Sequence, residues 1–572
     1  MRFKRILVVP VLVIAMMLNS VSVMAATTPK LINVNPNGAE GDYYVGETPK
    51  NVDPSKPVIV FVHGMGGNAK SWWESSSDAY NYAYNSGYRT AFVNFRDADG
   101  NPGDMWLNGS VLAKQLEQIC EYYKVNKVNL VCHSKGGVDS TSAIAHFGAD
   151  EYVDKVFTLS SPHWGSPLAD LSYTWYASWL GKLMGHRNDA TYVLQTAYME
   201  NFREQTDDKP GIKTVSYFTG AGTDDGKLFS STWFGNLYLE SYGPNDGVVL
   251  VESSKLPFGE HVFTGKFDHF SIKSAKNTWK YIEPIIGTYS DTSGALSSFD
   301  TRDSSFQKII LASNSPFDFR TIANAFSFMP VISKREEKIT KISNNHKENM
   351  TSKKTQNIKP EEINDTLLRG GEFQGDCQIE FAVEASVKSI NLDLIASNSD
   401  IKLTIISPDN RKYTFDNPIE DTGVFEGAFH FMKTVKNPKA GNWKIQMNSN
   451  NSSAYFLNVK YDSAFKAKLA FDKNKFKRGE KIKFGIDMNN TKNTSEKFDK
   501  NKKVKTVISK SLPGTKLKKI KEVYSEKVGI EVSENIEIPS EEGVYNICTD
   551  IKGTLEDGST YERTLVKSII VE

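Results

Sequence analysis

Val128-Asn-Leu-Val-Cys-His-Ser134-Lys-Gly-Gly137 decides how this chain is read. Val128–Cys132 is a short, mostly apolar run, the pattern of a strand buried on both faces. It passes almost directly into Ser134, and Gly136–Phe147 then reads as a helix. Strand, tight turn and helix in succession hold a serine above the C-terminal edge of a sheet with its Oγ exposed, the context of a nucleophile elbow. Strand and helix approach closely there, so the flanking residues must be small. Gly136 and Gly137 meet that need; Cys132 departs from G-x-S-x-G but is still small.

The surrounding chain supplies the sheet. Pro57–Val62, Arg89–Phe95, Lys155–Leu159 and Val215–Thr219 are further strand-like runs. Val111–Lys124 carries Leu112, Leu116, Ile119 and Tyr123 at helical spacing. Strands alternating with helices predict crossovers and a mostly parallel sheet, an α/β fold. The first strand ends in His63-Gly-Met65-Gly-Gly67. Glycines let backbone N–H groups come close to a developing oxyanion, where each fixed donor contributes about 3–4 kcal/mol. Met65 and Lys135, the residue after the serine, are the candidate donors. The loop matches neither G-x-G-x-x-G nor a P-loop, which argues against nucleotide binding.

A serine nucleophile also needs a base and an acid, expected in the order Ser, acid, His. The chain has nine histidines. His63 and His133 adjoin the motifs, and His146 and His186 precede any good acid. His163, in Ser161-Pro-His-Trp-Gly-Ser166, reads as loop-shaping, and His346 and His430 fall outside the domain. His261 and His269 remain. Asp246 lies in Gly243-Pro-Asn-Asp246-Gly, a turn before an apolar run. His269 is preferred over His261 because it immediately precedes the closing helix. Its Nδ1–H on Asp246 would fix the tautomer and leave Nε2 for Ser134.

From about Lys56 to Ile286 the chain resembles the bacterial secreted lipases of the α/β-hydrolase fold, especially the Pseudomonas/Burkholderia and Bacillus/Staphylococcus types. The matching pieces are His63-Gly-Met65, Cys132-His-Ser134-Lys-Gly-Gly137, Ser161-Pro-His-Trp-Gly-Ser166, Asn245-Asp-Gly-Val-Val249 and Asp268-His269-Phe270. The resemblance implies Ser134, Asp246 and His269 as a triad, with Met65 and Lys135 as oxyanion donors. Many relatives hold calcium with an Asp two places after the His; here that place is Ser271, and no zinc ligand set is found, so no metal or other cofactor is expected. Lys135 stands where relatives often carry Met, Gln or His. Its cation reads as solvated, or else as favouring anionic substrates.

Pro162–Met199 is rich in large apolar side chains, with Leu168, Leu171, Trp175 and Trp179 on one helical face. A mobile lid and a fixed cap both fit residues 163–199. Trp72, Trp164, Leu168 and Trp175 are candidate substrate-lining residues, although Trp72 also fits a place beneath the cleft.

The chain has 572 residues, which predicts about three to five domains. Lys and Arg number 69 against 68 Asp and Glu, so there is no global pull toward nucleic acid or anionic membrane. Met1–Arg5 is basic, Ile6–Leu18 is an apolar run, and Val23-Met-Ala25 ends in small residues, which together read as a secretory signal peptide over 1–26. The run is shorter than the ~20 residues that span a bilayer. No transmembrane segment is expected after its removal, and the mature protein is expected to be extracellular. The catalytic domain is expected over 27–289, with 27–56 a polar lead-in, and a Lys-rich linker over 290–371. Alternating strand patterns from 372 predict two β-sandwich modules, 372–462 and an immunoglobulin-like one over 463–572. These read as spacers or as binders of a surface or polymer. Cys377 and Cys548 could pair in an oxidising compartment.

The expected activity is cleavage of acyl-lipid esters. A polyester (polyhydroxyalkanoate) depolymerase, a thioesterase or an amidase would use the same triad. A surface-binding protein with a vestigial hydrolase domain is the non-catalytic alternative.

Overall fold

A computed structural model of the chain describes residues 27–32, 41–74, 77–177, 188–290, 365–421, 425–471, 473–490, 502–514, 518–527, 534–537 and 540–572. The expected signal peptide and nearly all of the expected linker lie outside these residues. Eight strands form one sheet: β1 (Lys30–Ile32), β2 (Tyr43–Val45), β3 (Ile59–Val62), β4 (Thr90–Val93), β5 (Val128–His133), β6 (Val153–Leu159), β7 (Ser216–Gly222) and β8 (Glu260–Gly265). Their order is β1-β2-β4-β3-β5-β6-β7-β8. Neighbours from β4 through β8 are parallel, and β1 and β2 add an antiparallel edge. The lead-in, read from the sequence only as polar, is therefore part of the sheet. Gln115 holds it there, donating to the carbonyls of Asp42 and Asn94.

Period-two alternation divides the central strands between two cores. Val60, Val62, Leu130 and Cys132 face the layer that holds Leu112, Leu116 and Ile119 of the helix Met105–Tyr123. Ile59, Phe61 and Val131 face the opposite layer, with Trp279 and Ile282 of the closing helix Ala275–Ile286. Burial on both faces is why these strands are nearly unbroken apolar runs.

The C-terminal region is antiparallel except where the short strand Lys475–Phe476 runs parallel to Thr560–Val571. Thr366–Val383 and Gly441–Tyr461 pair along most of their length, with a register shift between Ser449 and Ser453. The first of them starts ahead of the expected module boundary at 372. Three shorter strands, Ser389–Ala396, Lys402–Ile406 and Phe429–Lys436, are each antiparallel to a neighbour in the same sheet. The second module has a three-stranded and a five-stranded sheet around Phe465, Leu469, Phe484, Ile547, Leu565 and Ile569, the layering of a β-sandwich. Cys377 and Cys548, whose pairing the sequence left open, are both free thiols.

Both modules pack on the N-terminal domain. Leu171, Ala177, Phe234 and Leu239 share one apolar cluster with Leu368, Met432, Phe456 and Val566. Polar contacts flank it: Ser568 Oγ accepts from Ala197 N at 3.0 Å, Gln195 Oε1 accepts from Ser511 and Asn546, and Tyr176 donates to Asp550. At the edge nearest the helix Ser231–Leu239, the His430 ring stacks on Phe234 with centroids 3.6 Å apart. His430 Nδ1 meets Asp393 at 2.9 Å, and its Nε2 faces Asp421 at 3.5 Å. Burial works against a charged ring here, but the two carboxylates outweigh it and push the pKa up to about 9.

A histidine raised from 6.5 to about 9 contributes stability that is complete below pH 6.5 and lost as pH rises through 9. The full effect is ~3 kcal/mol. Denaturant melts across pH 6–10 are expected to show this loss (about the range fixed by those two values), and His430→Gln is expected to flatten the curve.

Candidate active site

β5 lies between β3 and β6, so its C-terminal end opens at the centre of the sheet. There Ser134 adopts φ +52° and ψ −133°, a conformation disfavoured for a residue with a Cβ. The turn is enforced by crowding. A Cβ on Gly136 would lie 2.4 Å from the carbonyl oxygen of His63, and one on Gly137 would lie 2.3 Å from Ser161 Oγ. The serine caps the helix Lys135–His146, whose first N–H groups have no acceptor within the helix.

Ser134 Oγ lies 3.0 Å from His269 Nε2, and His269 Nδ1 lies 2.9 Å from Asp246 Oδ2. Asp246 is fully buried. Its other oxygen accepts from the backbone N–H groups of Val248 and Val249, so the turn that carries it also aims it. The His269 N–H donates to the Asp246 carbonyl, tying the two loops together. His133 Nε2 lies 2.6 Å from the His269 carbonyl, and burial, with His269 and Lys273 nearby, holds its pKa well below the usual value. A neutral His133 therefore braces the His269 loop as a donor. The three residues expected together are together. His261 instead meets Thr219 and Thr264.

The loop after β3 stands beside the serine: a Cβ on Gly64 would fall 2.7 Å from Ser134 Cβ. His63 is buried, which lowers its pKa; Nδ1 donates to Gly64 O and Nε2 accepts from Phe95 N. This ring shapes the loop from within.

Lys135 is not solvated. It is fully buried, with Nζ 2.7 Å from Asp139 Oδ1. Burial alone would lower its pKa, but Asp139 and Asp97 raise it and keep it cationic. It cannot present its charge to an anionic substrate. Trp72 is likewise buried, against Phe61 in the core, and is not a substrate-lining residue. Trp164 donates its indole N–H to Lys255 O. Leu168 packs at the module interface, and Trp175 lies under Lys519 of the second module. Trp179, Leu180, Leu183 and Met184 of the expected lid lie outside the described residues.

A crevice of about 430 Å³ adjoins the His269 loop, lined by Gly226, Lys227, Phe229–Thr232, Asp268, Phe270 and, from the first module, Glu420. Phe229 and Phe270 are exposed there, as is Leu228 beside them. None of the three was read from the sequence as substrate-lining, because apolar residues in loops carry no period. Ser271, at the place where the resemblance led to an expected calcium-binding Asp in relatives, closes a turn with Asp268. Among the described residues no group of three or more His, Cys, Asp or Glu is arranged to hold a metal ion.

Residues 57–207 match the family model described as alpha/beta hydrolase fold. A lipase of Bacillus licheniformis, BlEst2 in propeptide form, is similar over 93% of this chain and 98% of its own, at 28% identity and a TM-score of 0.67. Its mature form is 42% identical and is covered completely by 44% of this chain, with a TM-score of 0.41. The chain belongs to the lipase/esterase family of α/β hydrolases. Triacylglycerol lipase 2 of Saccharomyces cerevisiae is 31% identical to this hydrolase over 171 residues, 29% of this chain. A triacylglycerol lipase of Burkholderia plantarii is 30% identical over 118 residues. The hydrolase spans about half of the yeast relative (52%) and less of the bacterial one (31%).

Proposed function

We propose that this chain is a secreted serine hydrolase that cleaves carboxylic esters of acyl lipids through an acyl-enzyme. The observation that carries the reading is the hydrogen-bonded line from Asp246 through His269 to Ser134. His269 takes the Ser134 proton as Oγ attacks the ester carbonyl, and Asp246 stabilises the imidazolium. The Met65 and Lys135 N–H groups hold the oxyanion. His269 returns its proton to the departing alcohol, and water then releases the acid. Phe229 and Phe270 offer apolar surface for an acyl chain beside His269. Export rests on the signal pattern of residues 1–26. No helix among the described residues is long and apolar enough to cross a membrane.

The modules serve as a cover rather than as a surface binder. One structural relative is described in a propeptide form and in a mature form. In this chain the modules pack on the 168–177 segment and on the helix Ser231–Leu239, and Glu420 forms part of the crevice wall.

A fluorophosphonate probe is expected to label the native protein on the peptide that contains Ser134, and short and long acyl esters are expected to turn over. No adduct and no turnover would end the reading. Turnover of a polyhydroxyalkanoate film but of no glyceride would make it a polyester depolymerase; preference for thioesters or amides would reassign it in the same way.

A further inference from the structure

The triad uses neither of the carboxylates buried beneath the oxyanion loop. Asp97 and Asp139 are each almost completely inaccessible, as are Lys135 and Asn108. Asn108, on the helix Met105–Tyr123, donates its amide to both carboxylates, at 2.9 Å to Asp97 Oδ2 and 3.1 Å to Asp139 Oδ2. The free oxygen of Asp97 accepts from the Gly66 N–H at 3.2 Å. Gly66 sits at φ +65°, where glycine is at ease, and follows Met65 directly. Asp139 holds Lys135, the other residue expected to supply an oxyanion donor. One continuous chain thus runs from the Gly66 N–H through Asp97, Asn108 and Asp139 to the Lys135 ammonium. Burial pushes Asp139 up to about 7 against the pull of Lys135, whereas at Asp97 the Lys135 charge and the hydrogen bonds from Asn108 and Gly66 outweigh burial and hold it low. The charge nearest the loop is therefore a lasting one.

We infer that Asp97 is a positioning residue: through Gly66 on one side and the Asn108–Asp139–Lys135 bridge on the other, it holds the Met65 and Lys135 N–H groups in convergent register on the oxyanion. The inference rests on the ester-hydrolase reading and adds to it the reason for a buried lysine after the nucleophile. A solvated cation would need no carboxylate partner and no asparagine between two carboxylates. An oxyanion hole works only while its donors stay fixed, and misplacement by about 1 Å costs on the order of a hundredfold.

The test compares wild type, Asp97→Ala, Asp97→Asn and Asn108→Ala, each below its melting temperature, with a soluble p-nitrophenyl ester. Asp97→Ala is expected to lower kcat about 30- to 100-fold with KM nearly unchanged. Affinity for an alkyl boronic acid, which forms a tetrahedral adduct with serine, should fall by a similar factor, and affinity for an unreactive amide analogue should not. Asp97→Asn keeps an acceptor for Gly66 but turns an NH2 on the Asn108 amide donor, so it should recover only part of the activity and fall between Asp97→Ala and wild type. If Asp97→Ala does not fold, Asn108→Ala is read by the same measures, with an expected loss of about tenfold. A folded variant with wild-type kcat, or one that loses boronate and amide affinity together, overturns the inference. Wild type without ester turnover or probe labelling would instead defeat the ester-hydrolase reading, so the two failures are distinguishable.

Discussion

Ser134→Ala is expected to lower kcat for ester cleavage by roughly 10⁴- to 10⁶-fold while leaving the fold intact. The substitution deletes one oxygen whose partner is His269 Nε2, and it leaves the crowded turn at Gly136 and Gly137 unchanged. The positive φ persists because Ala carries the same Cβ. His269→Ala should cost about as much, because without a base the hydroxyl is not activated at neutral pH. The double variant should be no slower than either single one, because residues that act as one unit are not additive. Asp246→Asn retains an acceptor for the Val248 and Val249 N–H groups and so holds its turn. It can present an N–H to His269 Nδ1, which favours the wrong tautomer, and should cost about 10⁴-fold. Initial rates with a p-nitrophenyl ester, checked by circular dichroism for folding, measure all four. Ser134→Ala with more than about a hundredth of wild-type kcat would remove the serine from the mechanism.

The readable parts of this site share one property: their constraint is local. β5 is buried along its whole length, and the glycines after Ser134 are forced by approaches of under 3 Å, from the His63 backbone at Gly136 and from the Ser161 side chain at Gly137. Such crowding leaves a mark in adjacent residues. Asp246 and His269 lie far from Ser134 in sequence, yet each sits in a loop at the end of a chain segment whose order the fold dictates. Lys135 is instructive in the opposite sense. Asp139 lies four residues on, on the same helical face, a spacing that permits the ion pair the structure shows but that the reading of Lys135 as solvated passed over. Its burial, however, depends on Asn108 and Asp97, which belong to other elements. The same holds for His430, whose partners Asp393 and Asp421 come together only across strands. β8 was missed because it is an edge strand with a mixed pattern, and β1 and β2 because three-residue strands give no period. Periodicity showed that Leu168 and Leu171 needed cover. It carried no word that the cover is supplied by modules far along the chain, from Leu368 to Val566.

Freeing the hydrolase from those modules is expected to raise its activity on long-chain esters at least tenfold, with a much smaller gain on a short, soluble ester. The asymmetry follows from where the modules sit. They leave the line from Asp246 to Ser134 intact, so the chemistry needs no rearrangement. They close over the 168–177 segment and the helix Ser231–Leu239, and Glu420 stands in the crevice beside Phe229 and Phe270. A small ester needs little of that space; a long acyl chain needs an apolar track that Leu171, Phe234 and Leu239 would provide only once uncovered. Cutting the chain between 291 and 364, where Lys and Arg are frequent, should not suffice by itself. The interface combines a shared apolar cluster with buried hydrogen bonds, so the nicked halves should stay together. Activity should rise when the C-terminal half departs, and raising the pH above 9 should hasten its departure by neutralising His430 between its two carboxylates. Size-exclusion chromatography of nicked protein at pH near 7 and near 10 (roughly either side of that value), with p-nitrophenyl butyrate and palmitate assays on each fraction at one common pH, measures both steps. Separation without any gain on the long-chain ester would show that the modules do not restrict the site, and a full gain in the unseparated complex would show that the covalent link, rather than the docked surface, restrains the hydrolase.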